Sequence, residues 1–179
     1  MTEDRRSRYT GATMMLPAIL ARRSCRSFKQ DAVPDEMVKE LLKAAFFAPT
    51  ARHIKAIEYI VVTDQKTRKA IANSLAPQEF VAKAPVIIVP VSDTKIASKP
   101  REDLSLATEN IWLQATELKL GCVWKHVHDG DEQEKLRAVL GIPSHFLVIN
   151  VLPIGYPEEM PPPHTDAEFD LKKIHREKW

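Results

Sequence analysis

Glycine is scarce in this chain, five in 179 residues, and neither a G-x-G-x-x-G run nor a G-x-x-x-x-G-K-[ST] run occurs. Both motifs need glycine where the backbone approaches phosphate closely, so a Rossmann dinucleotide site and a P-loop are excluded. Cysteine is rarer still. Cys25 and Cys122 are too few for a disulfide framework, and the polar stretch Met1 to Thr10 lacks the apolar run of a secretory signal, so a reducing cytoplasm is the expected compartment. The longest strongly apolar stretch, Ala84 to Val91, is interrupted by Pro85 and Pro90 and falls far short of the roughly 20 residues that span a bilayer. Charge of one sign is not in excess either, with a net charge of +2. Arg5, Arg6, Arg8 and the cluster at Arg22 have no interleaved aromatics, which argues against a nucleic-acid partner.

What is present is a single-domain length with 44% hydrophobic residues, enough to bury a full core. The pattern predicts helices over 14–22, 35–47, 66–75, 101–120 and 131–140, with Pro34 and the acidic pair Asp35-Glu36 opening the second and Pro49 ending it. Strands are predicted over 58–62, 85–91, 122–127 and 146–152 from their β-branched and apolar content. The 101–120 helix reads as apolar nearly all round, the kind of helix that is buried in a core or a subunit interface, and Gly121 reads as its stop. Residues 1–13 read as a flexible polar N-terminus, 14–157 as one domain, and 158–179, with its Pro161-Pro162-Pro163 run, as an extended tail that wraps a neighbour or frays. A helix-rich chain with separated strands predicts an α+β fold, a small sheet packed between helices, with a doubly wound parallel sheet as its nearest competitor.

Four groups of residues could carry chemistry. Arg22-Arg23-Ser24-Cys25-Arg26-Ser27 places three guanidiniums and two hydroxyls in six residues, the donor set that phosphate prefers, although a solvated basic surface has the same composition. Asp103, Asn110 and Gln114 share one face of the long helix, either as a buried network with Asp103 capping the helix N-terminus or as ligand contacts. His126, His128 and Asp129 read as exposed strand-end groups, since no second pair of ligands at a fixed spacing supports a metal. Arg52-His53-Ile54-Lys55, just past Pro49, reads by itself as a loop of solvated charges.

In order along the chain, Arg22-Arg23-Ser24-x-Arg26-x-Phe28, Val33-Pro34, Leu41 to Ala45, Ala48-Pro49-Thr50, Ala84-Pro85-Val86, Asp103 to Ala115, Leu118 to Trp124 and Gly155-Tyr156-Pro157 resemble the landmarks of the flavin-dependent nitroreductase family. The resemblance covers about residues 16–156 and implies a nitroreductase-like fold with a mostly antiparallel central sheet, an intertwined homodimer, and FMN as cofactor with NADH or NADPH as reductant. By position it implies that Arg22, Arg23, Ser24 and Arg26 hold the phosphate, ribityl chain and pyrimidine edge of FMN, with Arg26 nearest the ring. It also marks Pro49, Thr50, His53, Lys55, Asn110, Trp124 and Lys125 as cofactor-binding positions, and it implies no obligatory catalytic acid or nucleophile.

Two departures qualify it. Where the family has asparagine and then glutamine-proline-tryptophan, this chain has His53, Lys55, Ala56 and Ile57, which replaces a stacking surface with a cation. Where the family places tail arginines, this chain has Pro163-His164-Thr165-Asp166, so Lys172, Lys173 or Arg176 substitutes for them or FMN is held more weakly. The expected activity is hydride transfer from NAD(P)H through FMN to a small electron-poor acceptor such as a nitro compound, quinone or enone. The alternative is a non-redox protein that binds a nucleotide or other phosphate ligand on the same fold.

Overall fold

The computed structural model describes residues 15–76 and 78–179; the polar segment 1–13 lies outside them. Six α-helices are described, α1 (Pro17–Ala21), α2 (Asp35–Phe46), α3 (Gln65–Ser74), α4 (Phe80–Lys83), α5 (Pro100–Glu117) and α6 (Asp131–Leu140). The strands are β1 (Ile57–Val62), β2 (Val86–Asp93), β3 (Gly121–Cys122), β4 (Lys125–His126), β5 (Phe146–Leu147) and β6 (Asn150–Gly155). They form one sheet of order β1-β2-β6-β3, with β4 also on β6 and β5 on β2, and every ladder is antiparallel. The fold is therefore α+β, and the parallel competitor is excluded.

Helices cover both faces of this sheet. Alternate residues of β2 point to opposite sides. Val86 and Ile88 join Leu152 and Ile154 against Leu41 and Ala45 of α2 and Leu104 and Ile111 of α5. Ile87, Val89 and Val91 join Val151 against Ile71 of α3, Val81 of α4 and Leu136 of α6. Burial on both faces explains why β2 reads as an unbroken apolar run despite its antiparallel neighbours.

Three expectations change in detail. The strand read over 122–127 is two strands, because β3 pairs with Ile154–Gly155 and β4 with Asn150–Val151, leaving Pro153 opposite the gap with no N–H to continue the ladder. The strand read over 146–152 likewise divides into β5 and β6, which meet different parts of β2. Helix α5 is not apolar all round. Asp103, Leu104, Ala107, Thr108, Ile111, Trp112, Ala115 and Thr116 form its buried stripe, while Glu102, Glu109 and Glu117 face outward. The residue that turns left-handed after it is Lys119, at φ 61°, with the Leu120 N–H closing on the Ala115 carbonyl at 2.8 Å. Gly121 serves a different need, since a Cβ there would stand 2.5 Å from Cys25 Sγ.

Candidate functional site

The arginine segment is laid along the open edge of β3. The Cys25 N–H donates to the Cys122 carbonyl at 3.0 Å, Ser24 bridges Cys122 in parallel, and Phe28 bridges Pro157 antiparallel. Extended backbone turns successive side chains to opposite sides. Cys25, 1% exposed, accordingly packs inward between Ser24 and Arg26, which stay outside the core, while Phe28, 3% exposed and three residues on, is buried out of this alternation. Burial pushes the Cys25 thiol up, and the Cys122 thiol further, so both are neutral packing groups. Ser24, Arg26 and Ser27 line a cavity of about 430 Å³ closed by Glu159 and Pro161.

The tail beyond Pro157 folds back over this segment. The His164 N–H donates to the Leu20 carbonyl at 2.8 Å, anchoring the tail to the end of α1. Arg23 donates to the Pro162 carbonyl at 2.7 Å and reaches Glu168 Oε1 at 3.3 Å, and Arg22 approaches His164 Nε2 at 3.4 Å. Glu168 also takes His164 Nδ1 at 2.7 Å and closes a capping box with Thr165. The His164 contact first, and then the Thr165 N–H, hold the Glu168 carboxyl below the usual glutamate range. Arg22 lies 4.5 Å over the Trp112 ring, and Trp112 Nε1 is buried without a hydrogen-bond partner. Among the described residues Arg26 makes no ion pair; its guanidinium stands 6.0 Å from the Phe80 ring.

The second group is the turn after α2. Pro49 and Thr50 lead into a single 3₁₀ turn, Ala51–His53, in which Arg52, His53 and then Lys55 adopt φ of 55°, 58° and 54°. None is glycine, and each such residue costs about 1–2 kcal/mol. The Lys55 N–H donates to Thr50 Oγ1 at 3.1 Å, Lys55 Nζ donates to the Phe46 carbonyl at 3.4 Å, and the Ala51 N–H donates to Asp103 Oδ1 at 2.8 Å. Asp103 thus serves the turn and not the end of its own helix, whose N-cap is Lys99. Arg52, His53 and Lys55 are exposed.

The remaining sequence-predicted positions are spread around these two groups. Asn110 donates to the Ala44 carbonyl at 2.9 Å, tying α5 to α2, and lines with Gln114, Phe47 and Leu113 a cleft of about 410 Å³. Trp124 is half-buried against the α2–α5 layer. Lys125 is buried opposite Val151 on the α6 side, where its charge helps keep Glu132 ionised. Burial pushes the Glu132 carboxyl up, and the N–H groups of His128 and Ala76 outweigh it, so its pKa is lowered. His126 and His128 meet edge to face at 4.8 Å, and Asp129 is taken by Arg101 at 2.6 Å. The largest cavity, about 600 Å³, lies between α3 and α4, but its Arg68 is already committed to the carbonyls of Thr63, Ala82 and Ala84.

Glu168, Trp112 and the Ala51–Asp103 bond were not foreseen from sequence. Glu168 had a signal in the Thr165-x-x-Glu168 capping pattern, and Trp112 in its place on the buried stripe of α5. The bond joins residues 52 apart in sequence and leaves no local trace. Chemically, the first group offers guanidiniums and a hydroxyl to an anion, and the second offers an imidazole and an ammonium at a rigid edge.

Comparison with known proteins bears on the family and the fold. The model of the Nitroreductase family matches residues 19–78 and 72–156. A protein of Archaeoglobus fulgidus, provisionally named NADH dehydrogenase/NAD(P)H nitroreductase, is 36% identical over 170 residues, covering 92% of this chain and 98% of its own. The solved structure of an FMN-dependent nitroreductase from Clostridium difficile R20291 superposes with a TM-score of 0.88 at 31% identity, over 92% of this chain and 100% of the other. An iodotyrosine deiodinase bound to FMN and 3-iodo-L-tyrosine, at 21% identity and a TM-score of 0.75, shares the fold. The chain belongs to the nitroreductase family.

Proposed function

We propose that this protein, an FMN- and NAD(P)H-dependent oxidoreductase of the nitroreductase family, reduces a small electron-poor acceptor such as a nitro compound, quinone or enone. When bound, FMN supplies the redox chemistry, taking hydride from the nicotinamide and yielding electrons to the acceptor. The observation that carries the reading is the arginine segment on the edge of β3, where, among the described residues, Arg26 makes no ion pair, although Glu159 lines the same cavity, and the Trp112 indole N–H is buried without a partner. That donor set fits a phosphate monoester and an anionic ring edge. Arg22, Arg23 and Ser24 would hold the phosphate and sugar, and Arg26 the ring.

The two groups stand about 13 Å apart along α5, from Asp103 to Trp112 at about 1.5 Å per residue. A homodimer would bring the turn of one protomer to the arginine segment of its partner. Exposed Leu16, Ile19, Phe46 and Phe47 beside the 410 Å³ cleft support this, Phe47 being 79% exposed. No described helix is long and apolar enough to cross a membrane.

The visible spectrum of the purified protein, before and after FMN and then NADH under anaerobic conditions, tests the reading. A yellow protein that bleaches with NADH supports it. A protein that takes up no FMN overturns it in favour of a non-redox phosphate-ligand site, a reading to which the carboxylate of Glu168 on Arg23 gives some weight.

A further inference from the structure

We infer that Asp103 is a positioning residue, whose hydrogen bond to the Ala51 N–H holds the left-handed turn in the conformation that presents His53 and Lys55 to the flavin. The inference rests on the proposed reading of the turn as a flavin-edge element and goes beyond it by assigning the turn's anchor.

The residue types in the turn do not explain its backbone. Positions 52, 53 and 55 carry arginine, histidine and lysine, none of which favours positive φ as glycine or asparagine does. Strain of this kind persists only when the surroundings over-determine it. The local anchors are the His53 N–H on the Thr50 carbonyl at 2.9 Å, the Lys55 N–H on Thr50 Oγ1 and Lys55 Nζ on the Phe46 carbonyl, and they lie within the turn or at the exposed end of α2. Asp103 differs in place and in burial. It is 3% exposed and fixed in the first turn of α5, its own N–H bonded to the Lys99 carbonyl at 3.0 Å. Leu104 and Ala107, on the same stripe, are buried against α2, so the carboxylate cannot drift from the loop that α2 feeds. A rigid acceptor on the core helix therefore fixes the start of a turn whose side chains remain in solvent.

The test uses the full chain as wild type, Asp103→Ala and Asp103→Asn, with far-UV circular dichroism to establish folding. Arg52 and Lys55 are trypsin sites within the turn, so cleavage at 52–53 and 55–56, read by mass spectrometry without flavin, reports the turn alone. FMN affinity is read separately from flavin fluorescence. Asparagine keeps an oxygen acceptor and removes the charge. Asp103→Ala should cleave about tenfold faster and bind FMN about tenfold more weakly, with Asp103→Asn within about twofold of wild type. Cleavage of Asp103→Ala at the wild-type rate overturns the inference, as does Asp103→Asn falling as far as Asp103→Ala. If Asp103→Ala does not fold, Asp103→Glu, which displaces the acceptor by one methylene, takes its place with the same criteria. A wild type that binds no FMN overturns the functional reading, and cleavage then still decides whether Asp103 holds the turn.

Discussion

The arginine segment and the 51–55 turn reach rigidity by opposite routes. In the first the backbone is relaxed and paired to β3, while long, flexible side chains are gathered by an indole and a tail. In the second the side chains are exposed, Lys55 alone among Arg52, His53 and Lys55 reaching back to a carbonyl, and the backbone itself is strained, pinned by a buried carboxylate. The first arrangement adapts to charge on its ligand; the second offers a fixed edge. On the proposed reading, the first would serve as an anion-binding end that adjusts and the second as a ring end that does not, which is what a cofactor with a flexible phosphate arm and a planar reactive head requires.

The largest test of this contrast removes the adaptable end. Arg22→Ala with Arg26→Ala should weaken FMN binding about a hundredfold or more, since two charge-assisted contacts are lost. Flavin content equal to wild type in the folded double variant would remove these residues from the site. Gly121→Ala attacks the seam beneath them. Its Cβ would stand 2.5 Å from Cys25 Sγ, so the variant should lose about 1–3 kcal/mol in urea unfolding, part of it recovered when Cys25→Ala is added. Wild-type stability would mean that the segment is not packed tightly on β3.

Smaller effects sharpen the comparison. Glu168→Gln removes the carboxylate that Arg23 now meets, so FMN affinity should rise about two- to fivefold at low salt and less at high salt. His53→Ala should shift the reduction potential of bound flavin while leaving affinity nearly intact, and an unaltered potential would take His53 away from the ring. The tail contact carries a pH signature. Glu168 titrates below the ordinary glutamate value of 4.5, so the stability it contributes is complete above that pH and is lost only as pH falls through the lower folded value. An NMR titration of Glu168 at or above the free value would contradict the contact.

Much of this molecule was legible in its sequence. The boundaries of α2 followed from Pro34, Asp35-Glu36 and Pro49, the end of α6 from Gly141, which the structure places in the left-handed region, and β2 from its apolar run. The division of the last two strands was not legible, because it depends on where Pro153 falls opposite a partner. Nor was the outward face of α5, where Glu102, Glu109 and Glu117 were masked by the apolar residues between them. At the site, the arginine segment announced itself through composition. The turn did not, since Arg52 to Lys55 reads as a charged loop until the bond from Asp103 is seen.

The placement of Arg22 over Trp112 also makes the binding event optically visible. The chain holds three tryptophans, and among the described residues Trp112 alone lies against a guanidinium. A phosphate that draws this cation off the ring changes the electric field on the indole, and with it the colour and yield of its emission. With Trp124 and Trp179 replaced by phenylalanine, the protein carries a single tryptophan at the proposed anion-binding end of its site, which, excited selectively over the three tyrosines, would report occupancy by ligands that have no colour of their own.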